Sequence, residues 1–254
     1  MTMLINFHEK TLYFISDIFF LTTFSQKTMH PIEELINEND SGWPFVMEWV
    51  KAAKNKVEIL PADKQKAVEA LYKIQVTTRS PMGSIVYETG GILIDNGWIR
   101  ILGSGNARLT RSLPDWNLGK TFTDFGQPSS YLLVADDAIG GFFVLNGGGL
   151  GKDVGKIYYF APDTLEFEPL DLTYTEFLDF CFNHHLEEFY KGYRWKTWKE
   201  DVAKLNGDQV FNFVPYLWTK EGKDIEKTAK KEVPAEEQYN LNLAFRKQLG
   251  IDQL

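Results

Sequence analysis

The spacing of apolar residues changes twice along this chain of 254 residues, and that change restricts the fold more than any other feature. Up to about residue 75, apolar residues recur every three or four positions, as on one face of a helix. Short β-branched and aromatic runs, separated by glycine-rich turns, then occupy the middle. Helical spacing returns after about residue 173. This order predicts an α+β fold in which helices cover an antiparallel or mixed sheet.

Three helices are predicted in the first part of the chain. They lie around Ile32–Ile36, over Ser41–Lys54 and from near Pro61 onward. In the second of them, the predicted apolar face consists of Phe45, Val46, Trp49, Val50 and Ala53.

The helices of the last part begin with a capping-box pair. Thr173 can accept from first-turn amides while Glu176 reaches back to the Thr173 amide. Further helices are predicted over Trp195–Leu205 and Glu236–Leu249, and Lys220–Glu232 is predicted to be a solvated connection.

The strands of the middle part are short. Asn96-Gly97 stands between two apolar runs and predicts a hairpin, because both central turn positions favour residues that accept positive φ. A long loop is predicted over Gly103–Gln127. The predicted strands are Ser84–Glu88, Ile92–Asp95, Tyr131–Ala135, Gly141–Leu145 and Lys156–Phe160.

The first 28 residues differ from the rest. Thr11–Phe24 is an apolar run of 14 residues, shorter than the roughly 20 that a spanning helix needs. Asp17 interrupts the run, and no small-residue cleavage site follows it. Three explanations stay open: a translation start at Met29, a weak leader, or a packed β-rich extension. Residues 29–254 are predicted to form a single α+β domain.

Charge and cysteine content exclude several classes of protein. There are 27 Lys and Arg against 35 Asp and Glu, a net charge of −8, which disfavours binding to nucleic-acid phosphates. The single cysteine, Cys181, excludes an internal disulfide and a cysteine-based metal site, and its place on an apolar helix face predicts burial.

Familiar catalytic and cofactor signatures are absent from the sequence. The glycine run after Asn146 lacks the P-loop register and precedes a strand rather than a helix. His184 and Glu188 are predicted on one helix at a spacing that could share a metal, but the H-E-x-x-H order is missing. We therefore predict no catalytic residues, no cofactor and no metal.

The adjacent carboxylates Asp136 and Asp137 have two interpretations. They could bind a cation or act as acid and base. Alternatively they stabilise the turn before Gly140-Gly141, since Asp is frequent in turns.

Two polar loops contain arginine and tryptophan, residue types that are enriched at interaction hot spots. They are Thr77–Gly83 and Arg108–Asn117. Internal ion pairs that fix these loops are the structural alternative. We predict that seven residues lie near a shared binding face: Arg79, Trp98, Arg108, Trp116, Asp136, Asp137 and Asn146.

Several long strings closely resemble an uncharacterised bacterial family, domain of unknown function 2625. The resemblance covers about residues 31–249, and residues 1–28 have no counterpart in it. The strings are TTRSPMGSIVYETGGILIDNGWIRILGSG, RSLPDWN, VADDAIGGFFVLNGGGLG, KIYYFAPDTLEF and PYLWTKEG.

A more distant resemblance links Tyr131–Phe182 to the SUKH superfamily. The shared features are the turn at Asp136-Asp137, an aromatic strand at Phe142–Leu145, the Tyr158-Tyr159 strand and the Phe177-Leu178 helix. This resemblance implies a single curved, mostly antiparallel sheet with flanking helices. It also implies a role like that of the bacterial members, which are mainly immunity proteins that neutralise toxins.

The leading functional hypothesis is a cytoplasmic, non-enzymatic protein-binding domain. Its acidic charge suits a basic protein partner such as a toxin, and neither nucleic acid nor a membrane is an expected partner. The alternative is a small-molecule-binding protein or an enzyme of unrecognised type, whose pocket lies between the sheet and the loops at Thr77–Gly83 and Gly103–Asn117.

Overall fold

A seven-stranded antiparallel sheet is the centre of the fold in a computed structural model that describes residues 29–251. The strands follow one another in chain order, and each pairs with the next, so the sheet is a meander. The α+β prediction with a mostly antiparallel sheet is confirmed. The strands are β1 (Val57–Pro61), β2 (Thr89–Ile94), β3 (Ile99–Leu102), β4 (Tyr131–Asp137), β5 (Phe142–Asn146), β6 (Lys156–Phe160) and β7 (Phe167–Thr173).

Helices precede, interrupt and follow the sheet, and a separate two-stranded sheet lies near the C-terminus. This second sheet pairs β8 (Gln209–Val214) with β9 (Ala229–Pro234). The helices are α1 (Ile32–Leu35), α2 (Trp43–Ala52), α3 (Lys64–Ile74), α4 (Pro81–Glu88), α5 (Leu113–Asn117), α6 (Tyr174–Asn183), α7 (Leu186–Phe189), α8 (Trp198–Val202) and α9 (Ala235–Gln248).

Helix starts follow local hydrogen-bond chemistry. The Asp63 carboxylate accepts from the amides of Gln65 and Lys66, both at 3.0 Å, and so starts α3. The predicted capping box of α6 is present, because Thr173 and Glu176 bond to each other's amides. These helix starts can be predicted from the sequence, because each capping residue binds amides only a few positions away.

The hairpin predicted at Asn96-Gly97 joins β2 to β3, with Ile94 paired to Ile99. The connection between the two strands is longer than the two-residue turn that an Asn-Gly pair typically forms. Asp95, Asn96 and Gly97 all have positive φ. The Asn-Gly pair therefore predicts the position of the turn correctly but not its length.

The predicted strand Ser84–Glu88 is wrong, because this segment is the second part of α4. Ser80 caps the helix by accepting from the Gly83 amide at 3.0 Å, and Pro81 occupies the first turn. Proline has the φ that a first helical turn requires. This start signal overrides the β-branched composition that favoured a strand.

Other boundaries differ from the predictions at the ends of the sheets. No strand was predicted at β1, β7 or β8, and β9 lies mostly within the predicted connection Lys220–Glu232. The predicted long loop contains α5, and the helix predicted over Trp195–Leu205 is limited to Trp198–Val202. β1 and β7 are the edges of the large sheet, where one side of each strand lacks a neighbour and the hydrophobic pattern is weak.

One cluster of buried side chains runs from Leu35 near the start to Tyr239 in α9. α4 packs on β2, and α6 packs on β6 and β7. Phe143 of β5 contacts Phe177 of α6, with ring centroids 4.8 Å apart. Residues 1–28, with the three explanations offered for them, lie outside the described residues.

Candidate binding surface

Asp136 lies near the end of β4 and is completely buried. In the sheet it stands opposite Arg100 of β3, and the Arg100 Nε donates to Asp136 Oδ1 at 2.5 Å. The other oxygen, Oδ2, accepts from Nη1 of Arg111. One carboxylate thus binds two guanidinium groups, which are themselves largely buried.

The remaining donors of these arginines bind backbone carbonyls and a second carboxylate. Arg100 donates to the carbonyls of Gln209 at 2.8 Å and Asp137 at 2.7 Å. Arg111 donates from Nε to Asp208 at 3.1 Å and from Nη2 to the Gly207 carbonyl at 2.8 Å. We name Arg100, Arg111, Asp136 and Asp208 the arginine–aspartate cluster. It fixes residues 207–209 to the sheet and to the loop before α5.

Two pKa values in the cluster reflect competing effects. Burial acts to lower the pKa of Arg111, but Asp136 and Asp208 outweigh burial and raise it. Burial acts to raise the pKa of Asp208, but hydrogen bonds from Thr110 and the charge of Arg111 leave it lowered. Both groups are therefore held in their charged forms.

Asp137 has a different set of partners from its neighbour Asp136. Its Oδ2 accepts from the hydroxyls of Tyr159 at 2.7 Å and Tyr190 at 2.9 Å. Its Oδ1 accepts from the amides of Ile139 and Gly141 in the following turn. Burial raises the pKa of Asp137, against these hydrogen bonds, which lower it. The geometry favours the turn-stabilising interpretation, because the two carboxylates are not directed at a common ligand.

The two predicted tryptophans are core residues. Trp98 is fully buried and packs edge-on against Tyr190 at 5.2 Å between centroids. Trp116 stacks on Phe142 at 6.3 Å, with the Arg111 guanidinium 4.6 Å from its ring centroid. Neither indole offers a surface to a partner.

Asn146 is also buried and organises the glycine loop that follows it. Its Oδ1 accepts from the amides of Gly148 at 2.8 Å and Leu150 at 3.1 Å. The amides of Gly147 and Gly149 both donate to the Ser130 carbonyl. Since these four amides already have acceptors, they are not available to cradle a phosphate.

The two remaining predicted residues, Arg79 and Arg108, have exposed side chains. Arg79 Nε lies 3.5 Å from Asp40 Oδ2, and Arg108 forms a two-pronged contact with Glu58. The seven predicted residues therefore do not form one exposed face, because five of them are buried. Their proposed binding role remains a prediction.

A small cavity of about 150 Å³ lies between the sheet, part of the Gly103–Asn117 loop and residues 202–207. Its lining includes Leu93, Arg100, Arg108 and Asn206. This volume is below the 300–1,000 Å³ that is typical of ligand pockets. The Thr77–Gly83 loop is not part of this cavity, so the pocket expected between the sheet and both loops is present only in part.

The Thr77–Gly83 loop instead adjoins a larger groove on the helical side. This N-terminal groove, of about 330 Å³, lies between the α1–α2 connection, the start of α2, Thr78 and the end of α4. Its lining includes Asn37, Glu38, Trp43, Thr78, Tyr87 and Glu88.

Thr78 holds the N-terminal groove together and is only 2% exposed. Its Oγ1 accepts from the Asn37 amide at 2.7 Å, and its carbonyl accepts from the Gly42 amide at 2.8 Å. Gly83 lets α4 approach this loop closely, because a Cβ at Gly83 would lie 2.0 Å from the Thr77 carbonyl oxygen. The groove is thus fixed by backbone contacts.

The rim of the N-terminal groove is acidic and aromatic. Glu38 and Glu88 are exposed, and within residues 29–251 no Lys, Arg or His forms an ion pair with either. Trp43 and Tyr87 are half-buried in its lining. Phe45, two residues after Trp43 on α2, is not in the lining and is 59% exposed. The predicted apolar face of α2 included both Phe45 and Val46, and in the structure Val46 is buried whereas Phe45 is exposed.

The sequence candidates for metal and thiol chemistry are His184, Glu188 and Cys181. Among residues 29–251, no three His, Cys, Asp or Glu side chains are grouped so as to hold a metal ion. His184 and Glu188 are not on one helix as predicted, because α6 ends before His184. Cys181 is fully buried, as predicted, and burial raises the pKa of its thiol well above the usual value.

No helix among the described residues is both long and apolar enough to cross a membrane.

Comparison with known proteins gives relatives over nearly the whole chain. An uncharacterised protein of Haemophilus influenzae is 44% identical over 223 residues, which are 88% of this chain and 98% of that protein. A putative uncharacterised protein of Escherichia coli K12, YbfG, is 47% identical over 190 residues, 75% of this chain and 86% of that protein. No solved structure matches the chain, so the SUKH resemblance remains a prediction. Residues 32–238 match the family described as "Protein of unknown function DUF2625", and the chain belongs to that family.

Proposed function

We propose that this chain is a non-enzymatic protein-binding domain whose partner is a basic protein. The observation that carries the proposal is the N-terminal groove, where Glu38 and Glu88 flank aromatic side chains and have no cationic partner among the described residues. Aromatic residues inside a polar rim are typical of interaction hot spots.

The charge of the whole chain supports the same class of partner. A net charge of −8 attracts a basic protein over several ångströms and raises the association rate. By contrast, the charges of the arginine–aspartate cluster already compensate one another inside the fold. Recognition of a partner by charge therefore falls to the exposed carboxylates.

More specifically, we propose that the chain is an immunity-type factor that neutralises a toxin in the cytoplasm. It rests on the SUKH resemblance of Tyr131–Phe182 together with the acidic charge. A basic toxin such as a nuclease has the charge complementary to this chain.

Affinity capture with the full chain tests the proposal. The bait is incubated with lysate of its own organism at low and at moderate salt, and bound proteins are identified by mass spectrometry. We expect one dominant basic partner that is lost as salt rises, since exposed charges are screened beyond about 8–10 Å at physiological ionic strength. Absence of a protein partner, or an acidic partner insensitive to salt, would contradict the proposal.

A second candidate function, small-molecule binding, is favoured by the cavity that Arg100 and Arg108 line. Arg100 is already bound to Asp136 and to two carbonyls, so a small anion would have to bind Arg108 in exchange for Glu58. A thermal-shift screen with metabolites tests this alternative. A stabilising metabolite whose effect disappears in Arg108→Ala would favour it over protein binding.

A further inference from the structure

We propose that the N-terminal groove receives a lysine or arginine side chain of the partner. This inference rests on the proposed function only for the identity of the partner, since the groove itself is a feature of this chain. It specifies which exposed surface makes the contact and which chemical group enters it.

The size of the groove suits one long side chain. Its volume is about 330 Å³. This is enough for a cationic group with its aliphatic stem and for some retained water.

The chemistry of the lining favours a cation over a neutral apolar group. Glu38 and Glu88 both line the groove and lack cationic partners among residues 29–251. Other exposed carboxylates, such as Glu166 and Glu237, also have no ion pair, but only in the N-terminal groove do two of them line one cavity together with aromatic side chains among those described. Trp43 and Tyr87 add aromatic rings, which attract ammonium and guanidinium groups.

The groove is formed before any partner arrives. Thr78 connects Leu35, Asn37 and Gly42 through backbone and hydroxyl hydrogen bonds of 2.7–2.8 Å. Ser84 of α4 donates its hydroxyl to the Thr78 carbonyl at 2.6 Å. A preformed site loses little conformational entropy on binding, so even a single side chain can be held there.

The test follows Trp43 directly by fluorine NMR of the full chain labelled with 5-fluorotryptophan. Trp43→Phe assigns its resonance among the seven tryptophans. The probes are N-acetyl-arginine methylamide and N-acetyl-lysine methylamide, and the uncharged N-acetyl-norleucine methylamide is the control. We expect a saturable shift of the Trp43 resonance with at least one cationic probe and none with the neutral one.

Paired substitutions complete the test. Glu38→Gln with Glu88→Gln should weaken cationic-probe binding by about tenfold or more, because two charge-assisted contacts are lost. Glu166→Gln with Glu237→Gln removes the same charge at exposed positions outside the groove and should leave binding unchanged. The six other tryptophan resonances report whether each variant is folded.

Several outcomes would overturn the inference. They are a Trp43 resonance that no cationic probe moves, an equal shift with the neutral probe, or equal losses in the two double variants. If a basic partner is captured but binds the Glu38/Glu88 variant normally, the groove assignment fails and the proposed function survives. If the probes bind the groove but no protein partner is found, the proposed function fails and the groove remains a cation site.

Discussion

The arginine–aspartate cluster and the N-terminal groove use the same residue types in opposite ways. In the cluster, Asp136 is fully buried and its two oxygens bind two different arginines. In the groove, Glu38 and Glu88 are exposed and have no cationic partner within the described residues. The difference indicates that the first set of charges is used for folding, and the proposed function assigns the second set to recognition.

The two regions also differ in how much their charges contribute to the free energy of folding. A buried ion pair costs desolvation energy, and its two members depend on each other for compensation. An exposed carboxylate keeps its water and contributes little to folding. Substitutions in the cluster should therefore reduce stability, and substitutions in the groove should reduce binding alone.

The largest expected effect is that of Asp136→Asn. The change removes the charge that compensates the buried Arg100 and Arg111 while keeping a side chain of similar shape. We expect a loss of about 3–5 kcal/mol in the free energy of unfolding, measured by urea denaturation.

Asp179→Asn is the matched control for that substitution. Asp179 has a side chain 59% exposed, and its loss should cost less than about 1 kcal/mol. Equal losses in the two variants would remove the energetic distinction between the cluster and the surface.

Gly83→Ala should have the next largest effect, because it disrupts the close packing of α4 on the loop that holds the N-terminal groove together. The new Cβ would stand 2.0 Å from the Thr77 carbonyl oxygen, so the loop must move away from α4. We expect a loss of about 1–3 kcal/mol in the free energy of unfolding, together with weaker binding of the cationic probe. A variant that loses stability but binds the probe normally would show that the packing of α4 on this loop does not fix the shape of the groove.

Asp208→Asn should change the response of stability to acid. The pKa of Asp208 is lowered in the folded protein from its usual 3.8, so its ionised form stabilises the fold. That contribution is complete above about pH 3.8 and is lost as pH falls through the lowered pKa.

In the Asp208→Asn variant, neutral-pH stability should fall by about 1–2 kcal/mol through loss of hydrogen bonds to a charged group. The difference in unfolding free energy between pH 7 and pH 3 should shrink relative to the unsubstituted protein. Chemical denaturation at both values measures it, and an unchanged difference would contradict the role given to Asp208.

The smallest effect on folding is expected for Glu38→Gln with Glu88→Gln. Since neither carboxylate has an ion-pair partner among residues 29–251, the free energy of unfolding should change by less than about 0.5 kcal/mol. Urea denaturation of this variant beside Asp136→Asn gives the comparison directly. A large loss would mean that the groove carboxylates serve folding after all.

Local signals predicted much of the fold. The capping box at Thr173 and Glu176 and the turn at Asn96-Gly97 are confirmed because each depends on residues a few positions apart. The start of α4 was equally local, at Ser80-Pro81, but the β-branched residues after it favoured a strand. In that case the composition of the segment was a weaker guide than its first two residues.

The candidate site was much less predictable. The types of its residues are visible in the sequence, but their exposure is not. Phe45 and Val46 are neighbours on a helix with apolar residues around much of its circumference, and only packing decides that Val46 is buried and Phe45 is 59% exposed. Trp98 and Trp116 show the opposite outcome: both were predicted near a binding face, and both lie in the core.

The sequence by itself determined the elements whose causes are local: amphipathic helices, their caps, the glycine turns and the α+β order. Only the tertiary structure decided which charges compensate one another. Arg100 meets Asp136 across 36 positions, and Arg111 meets Asp208 across 97. Hydrogen bonds within a turn form between neighbours in the chain, whereas ion pairs of this separation exist only after the sheet has brought distant segments together. The same assembly leaves Glu38 and Glu88 at the rim of a groove that no local pattern describes.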